Sequence, residues 1–375
     1  MDDFLPFTRP TLDEETLQGV VEVLRSGWIT SGPQVLAFER ALAEYLGGGR
    51  TVHALNTGTA ALETALALCG IGAGDEVIVP AMSFAATANV VLRAGARPVF
   101  VDADLATRNM DMGRVEAAVT PRTRAIMPVH YAGLPVDMDA LYALAERRGL
   151  RVIEDAAHAI GSRWRGRRIG GFGDLVCFSF HANKNLTTIE GGALSVGDPA
   201  LVPRLEQLRF HGIARDAQGD MDVVVAGGKM NMPDVSARIG LGQLQRLEEF
   251  NARRRALARR YFDLLEADPP GVLPARGDEG HNWHMFTLLL PFERLPLDRR
   301  RFQQAMARRG IGVGVHYPAI PLFSLYRGLG CREGDFPNAE RIGRETVTLP
   351  LFPAMRDEDV DRVCAVLRAV LREGT

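Results

Sequence analysis

The sequence predicts an α/β protein, with a mostly parallel, mixed sheet covered on both faces by helices and a smaller C-terminal α+β unit after it. Three observations lead there. Short apolar runs alternate with amphipathic stretches from about Ala54 to Val196, the pattern of strand–helix repeats around a parallel sheet. A long helical stretch from Asp234 to Glu266 has neither Gly nor Pro after Gly242 and stops at Pro269-Pro270-Gly271. Beyond it the chain mixes strand and helix patterns.

In order, strands are expected at Thr51–Leu55, Glu76–Val79, Arg97–Val101, Ala125–Val129, Arg151–Glu154, Leu175–Phe178 and Ala193–Val196. Helices are expected between them at Ala60–Cys69, Ala85–Ala94 and Met138–Arg148. The last two strands are separated by a loop instead of a helix, which makes a mixed sheet the expectation. The C-terminal unit reads as a strand at Met285–Leu290, a helix at Arg300–Arg309, a strand near Val313–Val315 and a helix at Asp357–Arg372. A domain boundary inside the long helix divides the chain into residues 1–247 and 248–375.

Charge excludes several classes of partner. Across 375 residues, 44 Lys and Arg stand against 46 Asp and Glu, a net charge of -2, so nothing favours nucleic acid or an anionic membrane surface. No apolar run approaches the roughly 20 residues of a membrane span, and Met1-Asp2-Asp3 is acidic where a secretory signal would be basic. Cys69, Cys177, Cys331 and Cys364 are scattered without a CxxC pair. A soluble cytoplasmic protein is the expectation.

The basic residues are 42 arginines and only two lysines, Lys184 and Lys229. Arginine replaces lysine wherever a surface needs positive charge. It cannot do so where an amine must lose its proton and act as a nucleophile, because guanidinium stays charged. Drift can leave two harmless survivors, so their surroundings decide.

In open α/β sheets chemistry gathers beyond the carboxyl ends of the strands. Asn56-Thr57-Gly58-Thr59-Ala60 follows the first strand, a small-residue turn into a helix whose free N–H groups suit a phosphate. Many helices start this way. The segment is neither GxGxxG nor a P-loop, and Gly310-Ile311-Gly312 precedes a strand pattern, which argues against a nicotinamide site. Asp155 in Glu154-Asp155-Ala156-Ala157-His158 closes an apolar strand, where a carboxylate needs a cation or a strong donor. It could also cap a helix. Lys184 lies in Phe178-Ser179-Phe180-His181-Ala182-Asn183-Lys184-Asn185, a strand-end loop of small, polar and aromatic residues. A lysine held in a partly apolar pocket has a lowered pKa and can bond an aldehyde. Strand-end Asp, strand-end Lys and a phosphate cradle are together the parts of a pyridoxal 5'-phosphate site. His281 and His284 are spaced i, i+3 without a third ligand nearby, and no metal is expected.

With these motifs in view the chain resembles the DegT/StrS family of sugar-nucleotide aminotransferases, fold-type I pyridoxal phosphate enzymes. The resemblance runs through Ser26-Gly27-Trp28-Ile29-Thr30-Ser31-Gly32-Pro33, Gly74 to Pro80, Pro128 to Gly133, Ile153 to His158, Phe178 to Asn185 and Leu349 to Pro353. It is nearest to the branch that aminates UDP-4-keto-arabinose in lipid A modification. The resemblance implies that Lys184 holds the aldehyde and shuttles a proton, and that Asp155 keeps the pyridine nitrogen protonated. By the same resemblance His158 sits beside the ring, Gly58, Thr59 and Ser179 bind the phosphate, and Phe84 stacks on the ring. His181, His316, Tyr317 and Thr30 are implied substrate contacts. The Gly228-Lys229-Met230 loop would reach the neighbouring subunit's site, with Lys229 at the phosphate, in a homodimer that shares its active sites.

The implied activity moves an amino group from glutamate to a nucleotide-linked 4-keto sugar by a ping-pong mechanism, releasing 2-oxoglutarate. Alternatives are amination at C3, a 3-dehydratase and a non-catalytic regulatory protein that binds the cofactor. The dehydratases replace the lysine by histidine, so Lys184 counts against that alternative. The chain departs from the family at Ile189, where glycine is common before Glu-Gly-Gly, and at Pro318-Ala319-Ile320-Pro321, where the nearest branch places a second histidine.

Overall fold

The computed structural model describes residues 4–373; the acidic Met1-Asp2-Asp3 start lies outside them. Seven short apolar runs pair into one sheet: β1 (Thr51–Leu55), β2 (Glu76–Pro80), β3 (Arg97–Val101), β4 (Thr123–Ile126), β5 (Arg151–Asp155), β6 (Leu175–Ser179) and β7 (Gly192–Val196). Their order is β1-β7-β6-β5-β4-β2-β3. β7 runs antiparallel to β1 and β6, while every other neighbouring pair is parallel. A strand that returns through a loop, without a crossover helix, comes back antiparallel. Six strands therefore end at the same edge, where β7 begins.

Alternation along the strands feeds two cores. Ile78, Ile126, Val152 and Val176 face one layer, and Val77, Val79, Ala125, Ile153 and Leu175 face the other. The helices α1 (Glu14–Ser26), α2 (Pro33–Leu46), α3 (Gly58–Leu68), α4 (Ala86–Arg93), α5 (Met112–Ala117), α6 (Met138–Arg148) and α7 (Val202–Arg209) are followed by α8 (Asp234–Gln245) and α9 (Leu247–Leu265). The single long helix expected from Asp234 to Glu266 is thus two. Arg246 ends α8 with φ -101 and ψ 0, and its N–H reaches the Gln243 carbonyl at 3.2 Å. Its guanidinium bridges Glu249 and, at 3.4 Å, Asp13 ahead of α1. The break falls at a site without Gly or Pro.

The C-terminal part pairs β8 (Phe286–Leu289) with β9 (Thr346–Leu349) antiparallel, packed with α9, α10 (Arg299–Arg308) and α11 (Asp357–Glu373) around Leu257, Tyr261, Phe286, Phe302, Leu349 and Leu367. The strand expected at Val313–Val315 does not form. Gly314 alone bridges Thr348, and β9, which the apolar pattern did not flag, takes the place beside β8. The β4 ladder breaks after Ile126, where Pro128 has no N–H to donate, and touches β5 once more through the Val129–Asp155 bridge. Among the described residues no helix is long and apolar enough to cross a membrane.

Candidate active site

Most side chains of the site are delivered by the ends of strands at the common edge, while His316 and Tyr317 come from the segment after α10. After β1, Thr57 caps α3, its hydroxyl accepting the Ala60 N–H at 2.9 Å. That use of Thr57 leaves the N–H groups at Gly58 and Thr59 facing outward from the positive end of the helix. A Cβ on Gly58 would lie 2.8 Å from Ser179 Cβ and 3.2 Å from the Phe178 carbonyl oxygen. Only glycine lets α3 start this close to the end of β6. After β2 come Ser83 and Phe84; β5 ends on Asp155; β6 ends on Ser179 and leads through His181 to Lys184, whose N–H donates to the His181 carbonyl at 2.9 Å.

Gly58, Thr59, Phe84, Asp155, His158, Ser179, His181, Lys184, His316 and Tyr317 line one cavity of about 330 Å³. The structure thus gathers ten of the twelve residues picked from the sequence. Lys229 and Thr30 lie apart. The Lys229 ammonium donates to Asn231 Oδ1 and sits 4.7 Å over the Phe210 ring, and Thr30 offers its carbonyl to the Asp234 N–H at 3.1 Å.

Several ionisable groups in the cavity are displaced from their ordinary values, Lys184 and Asp155 first among them. Burial lowers the Lys184 amine to about 8, against the pull of Asp155. Asp155 is 6% exposed. Thr87 Oγ1 donates to its Oδ2 at 2.8 Å, and the Ala157 N–H donates to its Oδ1 at 3.2 Å. Burial still raises its pKa, since the neutral donors offset only part of the lost hydration.

A third group has a fixed proton. The Ala132 N–H donates to His158 Nδ1 at 3.3 Å. An amide N–H can only donate, so the imidazole proton lies on Nε2. Nε2 then donates to the Tyr317 hydroxyl oxygen at 3.2 Å, leaving the Tyr317 proton for an oxygen in the cavity. Burial, with Lys184 and His316 nearby, holds His158 well below its ordinary pKa, and burial raises that of Tyr317. Burial also lowers His316 to about 4, helped by Lys184. His316 Nδ1 lies 2.7 Å from Thr348 Oγ1.

The DegT/DnrJ/EryC1/StrS aminotransferase description matches residues 10–368. The chain belongs to this family. It is 40% identical over 380 residues, covering 98% of this chain and 97% of the relative, to the spore coat polysaccharide biosynthesis protein SpsC of Bacillus subtilis. Spr1654 of Streptococcus pneumoniae, solved in a pyridoxal phosphate form, superposes with TM-score 0.93 at 33% identity, over 99% of this chain and all of that one. PseC of Helicobacter pylori, an aminotransferase involved in the biosynthesis of pseudoaminic acid, gives TM-score 0.93 at 28% identity over 99% and 100% of the two chains.

The fold is therefore the fold-type I aminotransferase fold, and the cofactor is pyridoxal phosphate. The residues present fit that group. Asp155 is a buried carboxylate met only by neutral donors, matched to a protonated ring nitrogen. The α3 turn, narrowed at Gly58, suits a phosphate. Phe84, 61% exposed at the rim, offers a flat apolar face. Ile189 has φ 74, a backbone region that favours glycine.

Some site residues were not visible in the sequence. Ser83 Oγ lies 2.8 Å from Thr87 Oγ1, and that hydroxyl reaches Asp155. Ser83 lies in the loop ahead of α4 and Thr87 in its first turn, and nothing in their spacing points to a carboxylate 68 residues from Thr87. Glu190 and Asn183, on either side of His181, complete the rim. His281 and His284, weighed above as metal ligands, make hydrogen bonds instead, to the Ala132 carbonyl and to Asn185 Oδ1.

Proposed function

We propose that the chain is a sugar-nucleotide aminotransferase that passes an amino group from glutamate to a nucleotide-linked 4-keto sugar, UDP-linked as in the arabinose branch, on the way to a lipopolysaccharide-type amino sugar. The observation that supports this best is the pairing of Lys184, an amine that loses its proton near neutrality, with the buried Asp155 in one cavity at the sheet edge. Lys184 is present where the dehydratases have histidine, which favours amination.

Pyridoxal phosphate supplies an aldehyde that accepts the amino group and a ring that withdraws electrons from the reacting carbon. The chain's residues do the rest. Lys184 Nζ, freed of its proton, would hold the aldehyde and, when released, would be the base and acid that carries a proton from and to the reacting carbons. The Asp155 carboxylate would keep a proton on the ring nitrogen and be stabilised as an anion by it. Gly58, Thr59 and Ser179 hold the phosphate, Phe84 covers one ring face, and His158 directs the Tyr317 hydroxyl at an oxygen in the cavity. His181, His316, Tyr317 and Thr30 are assigned to substrate. Lys229 serves the cavity of a second copy in a homodimer with shared sites, and the protein works in the cytoplasm. Residues 1–247 and 248–375 are the two domains, His316 and Tyr317 coming from the second.

The purified protein is expected to be yellow, and Lys184→Arg to lose both that absorption and turnover. Undiminished transamination by Lys184→Arg would end the proposal. A panel of keto-sugar nucleotides tests the substrate: a keto sugar that binds without consuming the pyridoxamine form would point to a regulator instead.

A further inference from the structure

We infer that His284 is a positioning residue for the reactive amine, tying the loop that carries Lys184 to the imidazole of His158; this role rests on the function proposed above. Asn185, which follows Lys184, is buried. Its Nδ2 donates to Asn251 Oδ1 at 2.8 Å and to the Asn282 carbonyl at 3.3 Å. A carbonyl can only accept, so the amide orientation is fixed and Oδ1 is left as the acceptor. His284 Nδ1 lies 3.0 Å from that oxygen and must be the donor.

The same imidazole stacks on His158, ring centroids 4.4 Å apart and 28° between planes. Its backbone is pinned on both sides. The His284 N–H donates to the Ala132 carbonyl at 2.9 Å, and Arg254 Nη1 donates to the His284 carbonyl at 3.1 Å. Ala132 is also the residue whose N–H fixes the His158 tautomer. One side chain thus holds the neighbour of the amine and the ring beside it. Packing alone would need a ring of this size; it would not need a donor aimed at Asn185.

Without the Nδ1–H, a buried amide oxygen loses its partner. The 183–185 turn then gains by opening to water, and a rehydrated Lys184 keeps its proton to higher pH. The ionisable groups around the imidazole are Lys184, His158, His316 and Arg254, with Asp155 acting on Lys184 from across the cavity.

The experiment follows uptake of pyridoxal phosphate by the cofactor-free protein, by absorbance, as a function of pH. His284→Phe keeps a flat ring over His158 and removes only the donor. It is expected to raise the midpoint of uptake by about one pH unit and to slow uptake near neutrality about tenfold. His284→Asn, which can still donate to Asn185, is expected to restore the wild-type midpoint. An unchanged midpoint in a folded His284→Phe would overturn the inference, as would equal shifts in both variants that track lost thermal stability. If His284→Phe does not fold, Asn185→Leu, close to Asn in shape but without a polar atom, removes the acceptor from the other side, and the same upward shift or its absence decides. Wild-type protein that takes up no cofactor, or Lys184→Arg that takes it up normally, would strike the proposed function itself.

Discussion

Glu154 and Asp155 are adjacent carboxylates on β5, both buried, and they point to opposite faces of the sheet. Glu154 Oε2 lies 3.0 Å from His130 Nε2, and its Oε1 accepts from the Tyr142 hydroxyl at 2.6 Å. His130 Nδ1 takes the Val136 N–H and the Tyr142 oxygen takes the Asp174 N–H, so the network closes on itself. Asp155 has only Thr87 and the Ala157 N–H, and no basic side chain hydrogen-bonds it. On the proposed function, the same chemistry one residue apart is frame on one face and reagent on the other. What separates them is whether the fold supplies the basic partner or leaves it to a ligand.

The largest effect should come from Asp155→Asn, which keeps shape and removes charge. Turnover is expected to fall about 10³-fold with stability unchanged or higher, and a loss under tenfold would erase the contrast. Glu154→Gln should do the reverse, lowering stability to denaturant by about 1–3 kcal/mol while turnover stays within about threefold. Loss of turnover in a fully stable Glu154→Gln would show that both faces are catalytic.

Gly58→Ala sharpens the contrast at the phosphate end. Its Cβ would crowd Ser179 at 2.8 Å, and titration should show pyridoxal phosphate held about tenfold more weakly, with a stability cost of about 1–2 kcal/mol. The smallest change is a pH effect. The neutral fraction of Lys184 grows as pH rises through about 8, so cofactor uptake should accelerate from pH 7 to 9 and then level off. Continued acceleration toward the ordinary lysine value would mean that the amine is not buried as described.

The site was legible where chemistry restricts residue choice. Arginine cannot stand in for Lys184, a strand-end carboxylate such as Asp155 demands a partner, and strand–helix alternation gives the sheet. It was illegible where long-range contact decides. Arg246, where the break falls, reaches Asp13 at the far end of the chain, although Asp13 ahead of Glu14-Glu15 and the Gly32-Pro33 start are local signals for α1 and α2 that the alternation pattern passes over. The strand at Thr346–Leu349 displaced the one expected at Val313–Val315 because its whole length pairs with β8, against a single bridge at Gly314. His284 meets Asn185 from 99 residues away, and no spacing rule reaches that far.

With only two lysines in the chain, the central claim has an unusually clean test: borohydride reduction of the protein loaded with pyridoxal phosphate, followed by peptide mass mapping. A pyridoxyl adduct confined to the peptide bearing Lys184 is the predicted result; an adduct on Lys229, or none on either lysine, would contradict it.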